Sequence, residues 1–102
     1  EKVIDAVDQK YGLKKGIIPA KWYGGKFGHE TVTVDASTEL MVSRNVPEDL
    51  VYNMVKAICE SRDDIVIASP FWKSFMPEKA GQGLALPLHP GAAKYYKEKG
   101  WL

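Results

Sequence analysis

Apolar positions along the chain recur with two different periods, and each period predicts an element. Val3, Ile4, Val7 and Tyr11 are spaced by three and four residues, as on one face of a short amphipathic helix ending at Gly12. Lys14-Lys15-Gly16 breaks that helix, and Ile17-Ile18-Pro19 is a short extended segment that Pro19 keeps at an edge or an end. Thr31-Val32-Thr33-Val34 is rich in β-branched residues and predicts a strand; Glu39-Leu40-Met41-Val42 predicts a second one close behind. Between them, Asp35-Ala36-Ser37-Thr38 has little strand character and is expected to form a bend or bulge.

The longest stripe follows. Leu50, Val51, Met54, Val55, Ile58 and Cys59 fall on one side of a helix over residues 47–62. Asn45 as cap, Pro47 in the first turn, and the acids Glu48 and Asp49 at the positive end of the dipole supply its start signal. Asp63-Asp64 is expected to mark its end. Ile65-Val66-Ile67-Ala68 fits a strand or a buried helix, and Pro70 interrupts it. Phe71, Trp72, Phe75 and Met76 then return at helical spacing and predict a further helix. Gly81-Gln82-Gly83 is a turn and residues 84–88 are apolar and extended. His89-Pro90 opens a C-terminal helix through Tyr95, Tyr96 and Lys99, closed by Gly100. The pattern as a whole is α/β: a few strands with three to four helices.

Composition narrows the partners. A chain of 102 residues has room for one domain, residues 1–102. Its 14 basic and 13 acidic side chains leave a formal charge of +1, too neutral for a nucleic-acid surface or a polybasic membrane patch. Hydrophobic residues at 45% and charged residues at 26% are globular values. No apolar run approaches the ~20 residues that span a bilayer, so no membrane insertion is expected. The chain opens on Glu1 in the middle of a helix-like pattern and reads as a piece of something longer.

Catalytic chemistry has little to stand on. His29 and His89, the two histidines, have no partner at metal-ligand spacing, so no metal and no cofactor is expected. His89, just before Pro90, reads as a helix cap or a buried hydrogen-bonding residue, and His29 as a loop residue. Cys59 lies on the apolar stripe, away from a helix start that would activate it, and is expected to be a buried structural thiol. Nucleophile-elbow, Walker and dinucleotide-binding motifs are absent from the sequence. No catalytic residue is therefore assigned. The best candidate for contact with a small molecule is the loop at Trp22, Tyr23 and Gly24, where aromatic faces sit among glycines whose amides can approach an anion. The alternative for these rings is packing on the core.

Three segments resemble one family. Ile18-Pro19-Ala20-Lys21-Trp22-Tyr23-Gly24-Gly25 is similar to its "IPAGxYxG" segment, and Val46-Pro47-Glu48-Asp49-Leu50-Val51-Tyr52 to its "LPEDLVY" helix start. Residues 86–100, LPLHPGAAKYYKEKG, resemble its terminal "LPLHPGAxxYYxExG" signature. The family is the TAXI-type solute receptors of tripartite ATP-independent periplasmic (TRAP) transporters. Lys21 stands where that pattern has Gly, and Ser69-Pro70 where it has His-Pro.

The resemblance implies the C-terminal third of a two-lobed receptor of the type II periplasmic-binding-protein fold, with a signal peptide upstream. It implies non-enzymatic binding of a small organic acid or amino acid in the periplasm and delivery to a TRAP permease that uses an ion gradient. Residues 31–42 would then be a strand crossing between lobes. A piece this size leaves apolar stripes without cover, so self-association or segment exchange between copies is expected. The alternative is a free-standing protein–protein interaction module that binds no solute.

Overall fold

The computed structural model describes residues 2–102. Contacts divide the chain into two compact units, one running to Glu39 and the other spanning Leu40–Leu102.

The first unit holds helix α1 (Lys2–Tyr11) and strands β1 (Lys14–Ile18) and β2 (Thr31–Asp35). Helix α1 ends where expected, because Gly12 takes φ 69° and its N–H bonds the Asp8 carbonyl at 2.8 Å. Lys14-Lys15-Gly16, read as a break alone, also begins β1. The two strands pair antiparallel with Gly16 opposite Thr33 and Ile18 opposite Thr31, so backbone groups that a broken helix would orphan are satisfied across the sheet. This register puts Ile17, Val32 and Val34 on one face, and that face is exposed. Gly16, Ile18 and Thr33 on the other face are half-buried.

No strand forms at residues 39–42, which corrects the second β reading and the long crossing strand over residues 31–42. β2 stops at Asp35, and the sheet among the described residues has two strands, leaving Leu40 and Met41 exposed with no ladder beside them. A β-rich run becomes a strand only where a neighbour takes its hydrogen bonds.

The second unit is helical: α2 (Glu48–Glu60), α3 (Arg62–Ala68) and α4 (Pro90–Glu98). Pro47 is the residue flanking the start of α2, and its carbonyl accepts from Val51 N–H at 3.2 Å. Asn45 lies outside the helix with its own N–H on the Ser43 hydroxyl, so the expected Asn cap is not made. Ser61 ends α2 and starts α3. Asp63 and Asp64 therefore open the next helix, where their charge suits the positive end of its dipole, instead of closing the previous one. Ile65-Val66-Ile67-Ala68 is helical, though Ile67 stays 82% exposed.

The helix predicted over residues 71–76 is two short 3₁₀ turns, Pro70–Ser74 and Pro77–Lys79. Each proline forces the residue before it to extended backbone: Ser69 at φ −146°, ψ 106° and Met76 at φ −117°, ψ 105°. The stretch between them closes with i→i+3 bonds, Trp72 N–H to Ser69 and Phe75 N–H to Trp72, and the extended Met76 stops it there. Arg62 ties the first turn down, donating from Nε to the Phe75 carbonyl and from Nη2 to that of Lys73, at 3.2 and 3.0 Å.

Packing of α2 on α4 makes the core: Val51, Cys59, Ala92, Tyr95 and Tyr96. Tyr95, at 1% exposure, is the centre of an aromatic cluster, with Tyr52, Tyr96 and Trp101 rings 5.6–6.0 Å away in edge-to-face arrangements. Of the predicted α2 stripe, Val51 and Cys59 are buried, Val55 and Ile58 half-buried, and Leu50 and Met54 exposed. Burial pushes the Cys59 thiol above its ordinary range, with Glu60 adding and Lys99 opposing, so it stays protonated and inert.

The ends of α4 follow their sequence signals closely. His89 Nδ1 accepts the Gly91 N–H at 3.1 Å, and its Nε2 is 3.0 Å from the Val46 carbonyl, which can only accept. The ring is therefore the Nε2–H tautomer, capping α4 and holding the entry to α2 at once. At the other end Gly100 takes φ 73°, its N–H bonds Lys97, and the Trp101 N–H bonds the Tyr96 carbonyl at 2.9 Å. This paired closure needs a left-handed residue, hence Gly.

Candidate functional site

The segment 22–28 is a tight turn whose backbone is left-handed at its centre. Within Trp22–Gly25, Tyr23 sits at φ 55°, ψ 33° and Gly24 at φ 68°, ψ 25°, and Gly25 follows at φ 71°. Gly24 and Gly25 adopt this freely. Tyr23 does not: it is the one non-glycine at positive φ among the described residues, a strain of about 1 kcal/mol or more. Lys21, the departure from the family pattern, sits at φ −74°, ψ −15°, which any residue adopts, so the Gly is not needed there. The turn is closed by Trp22 N–H on the Pro19 carbonyl at 3.0 Å and Gly28 N–H on Gly25 at 3.2 Å.

The left-handed step sets the Tyr23 ring against Phe27, centroids 5.8 Å apart and planes at 87°. Both rings remain more than half exposed, Tyr23 at 63% and Phe27 at 58%. Together with Ile18 and Thr31 they line a recess of ≈ 290 Å³. Ile18 and Thr31 are cross-strand partners at the end of the sheet, so the recess has an ordered floor under a glycine-rich rim.

Of the three residues named from sequence, Tyr23 lines the recess and Gly24 supplies the turn. Trp22 lies beside it, 56% exposed, outside the lining. Sequence reasoning missed Ile18, Phe27 and Thr31. A signal existed for Phe27, one of the aromatic residues in the glycine-rich stretch; Ile18 and Thr31 need the strand register. Lys21 and Lys26 bracket the turn and bring positive charge to it.

Elsewhere the charged groups tie helices together. The Tyr52 hydroxyl donates to Glu98 at 2.6 Å, and that hydrogen bond, more than any other influence, raises its pKa. Lys94 reaches Glu48 at 3.5 Å and lies over the Tyr52 ring, and Lys99 reaches Glu60 at 3.8 Å. These are exposed pairs of small energetic weight. His29 is exposed in the loop before β2. Among the described residues no three His, Cys, Asp or Glu side chains stand where they could hold a metal ion, and no helix is long and apolar enough to cross a membrane.

The model of the NMT1-like family matches residues 1–100. The chain belongs to this family, whose members are binding proteins of the periplasmic solute-binding kind. Among the described residues, the four α-helices and two-stranded antiparallel sheet are an α/β arrangement of the sort a portion of such a domain provides.

Proposed function

Starting from membership of the NMT1-like family, we propose that residues 1–102 are the C-terminal third of a two-lobed, non-enzymatic receptor of the type II periplasmic-binding-protein fold. The receptor takes up a small organic acid or amino acid in the periplasm and delivers it to the permease subunits of a TRAP transporter, as TAXI-type receptors do. Its solute site in this part of the chain is the loop of Trp22, Tyr23 and Gly24, with the Tyr23 ring lining the recess, Gly24 supplying the turn and Trp22 beside it. The match over residues 1–100 carries the reading. It is supported by a tyrosine held in a strained conformation with its ring exposed, a combination that serves a binding surface better than a core. Lys21 and Lys26 suit an anionic solute.

Isothermal titration with a panel of short carboxylates and amino acids tests it, together with the coding sequence upstream of Glu1. Saturable binding that falls at least tenfold in Tyr23→Ala, and an upstream signal peptide leading into the rest of a receptor, are the expected results. A panel with no binder and a start codon directly before Glu1 would overturn it. The free-standing interaction module would then stand, a reading favoured by exposed apolar side chains such as Leu40, Met41, Ile67 and Phe71.

A further inference from the structure

We infer that the recess beside Tyr23 receives an aromatic ring, so that the preferred solute is an aromatic carboxylic acid and not a wholly polar acid. The inference rests on the solute-binding reading of the same loop and specifies what that reading leaves open. The walls decide it. Tyr23 and Phe27 meet at 87°, giving two perpendicular apolar surfaces, and Ile18 adds an aliphatic one. A ring entering this corner meets one wall face-on and the other edge-on, the two favourable arrangements for aromatic pairs. Thr31 contributes the one hydroxyl of the floor.

Size agrees with this choice. A dry apolar cavity of about 150 Å³ accepts benzene, so a recess of ≈ 290 Å³ has room for one ring and a short chain leading out of it. A carboxylate on that chain would emerge at the rim, where the backbone is glycine-rich and Lys21 and Lys26 bracket the turn. A small dicarboxylate has no apolar surface to set against these three side chains and gains little from them. The strain at Tyr23 fits the same purpose. Relaxing that residue to an ordinary negative φ would redirect its ring and open the corner.

The test is saturation-transfer NMR and isothermal titration on the full chain with phenylacetate and L-phenylalanine, against acetate, succinate and L-glutamate. Phenylacetate and L-phenylalanine should bind at least tenfold more tightly than the polar acids, with transfer strongest at the ring protons. Phe27→Ala, at an exposed position with little to lose structurally, should weaken them about tenfold while far-UV circular dichroism stays unchanged. Preference for succinate or glutamate would overturn the aromatic class and leave the loop as a solute site. Absence of binding by every probe would remove the loop reading itself. Tight phenylacetate binding that Phe27→Ala and Tyr23→Gly both leave intact would place the ring elsewhere and overturn the inference.

Discussion

At Gly91 α4 lies directly against the backbone of α2, and replacing it by alanine tests the account of the core. A Cβ at this position would collide with the Glu48 carbonyl oxygen and stand 2.8 Å from the Tyr52 amide nitrogen and 3.0 Å from Val51 Cβ. Ordinary contact begins at 3.4 Å, so the nitrogen alone requires a retreat of 3.4 − 2.8 = 0.6 Å, and the carbonyl oxygen more. Two of the three obstacles are backbone of α2, which no rotamer change relieves. The helices must separate, loosening the His89 bridge to Val46 and the Tyr52–Tyr95 ring contact.

Overpacking of this kind costs about 1–3 kcal/mol or more. Alanine in place of glycine in a helix returns at most about 1 kcal/mol. With two backbone atoms in the way the overpacking cost sits at the upper end of its range, and the net loss of roughly 2 kcal/mol lowers the Tm of a domain this small by about 8–16 °C. Urea and thermal unfolding of Gly91→Ala, followed by circular dichroism and tryptophan fluorescence, measures it. Gly91→Val should be worse again. The matched series at Gly83, where an added Cβ meets nothing within 4 Å, should show a backbone penalty with no further loss from alanine to larger unbranched side chains. A Gly91→Ala protein as stable as the parent would refute a backbone-to-backbone helix crossing.

Two further outcomes are expected. Burial, with smaller contributions from Cys59 and Tyr95, pushes the Tyr96 phenol up from 10.0 to about 12, so the folded state favours its neutral form. The stability this gives is full below pH 10 and disappears as pH rises through about 12. Urea midpoints should fall across that window, Tyr96→Phe should fall less, and a tyrosinate absorbance titration in which Tyr96 ionises in the ordinary range would contradict it. Sedimentation equilibrium should show self-association or segment exchange rising with concentration, because Ile17, Val32 and Val34 form an open aliphatic sheet face. A compact monomer at the highest concentration would rule it out.

The candidate site was half legible before the fold was known. Tyr23 stood out because an aromatic residue among glycines has few roles, but its left-handed φ and its right-angle meeting with Phe27 are conformational facts that composition does not carry. Ile18 and Thr31 are thirteen positions apart and become neighbours only through the register of β1 and β2. The misread elements have different causes. Residues 39–42 and 71–76 have the right apolar residues for a strand and a helix, yet the first joins no ladder among the described residues and the second is cut by Pro70 and Pro77.

Sequence alone determined the features set by short-range sterics and local hydrogen bonds. Gly12 stops α1, His89 and Pro90 start α4, and Gly100 closes it. These depend on φ preferences and on donors a few residues away, so the chain carries them wherever it folds. Tertiary structure alone decided which apolar positions are covered. Val51 and Cys59 are buried while Leu50 and Met54 on the same stripe are not, because one partner helix shields only a narrow seam. Gly91 matters because Glu48 and Tyr52 happen to lie against it. Burial is a relation between residues distant in the chain, and no local pattern contains the second member of the pair.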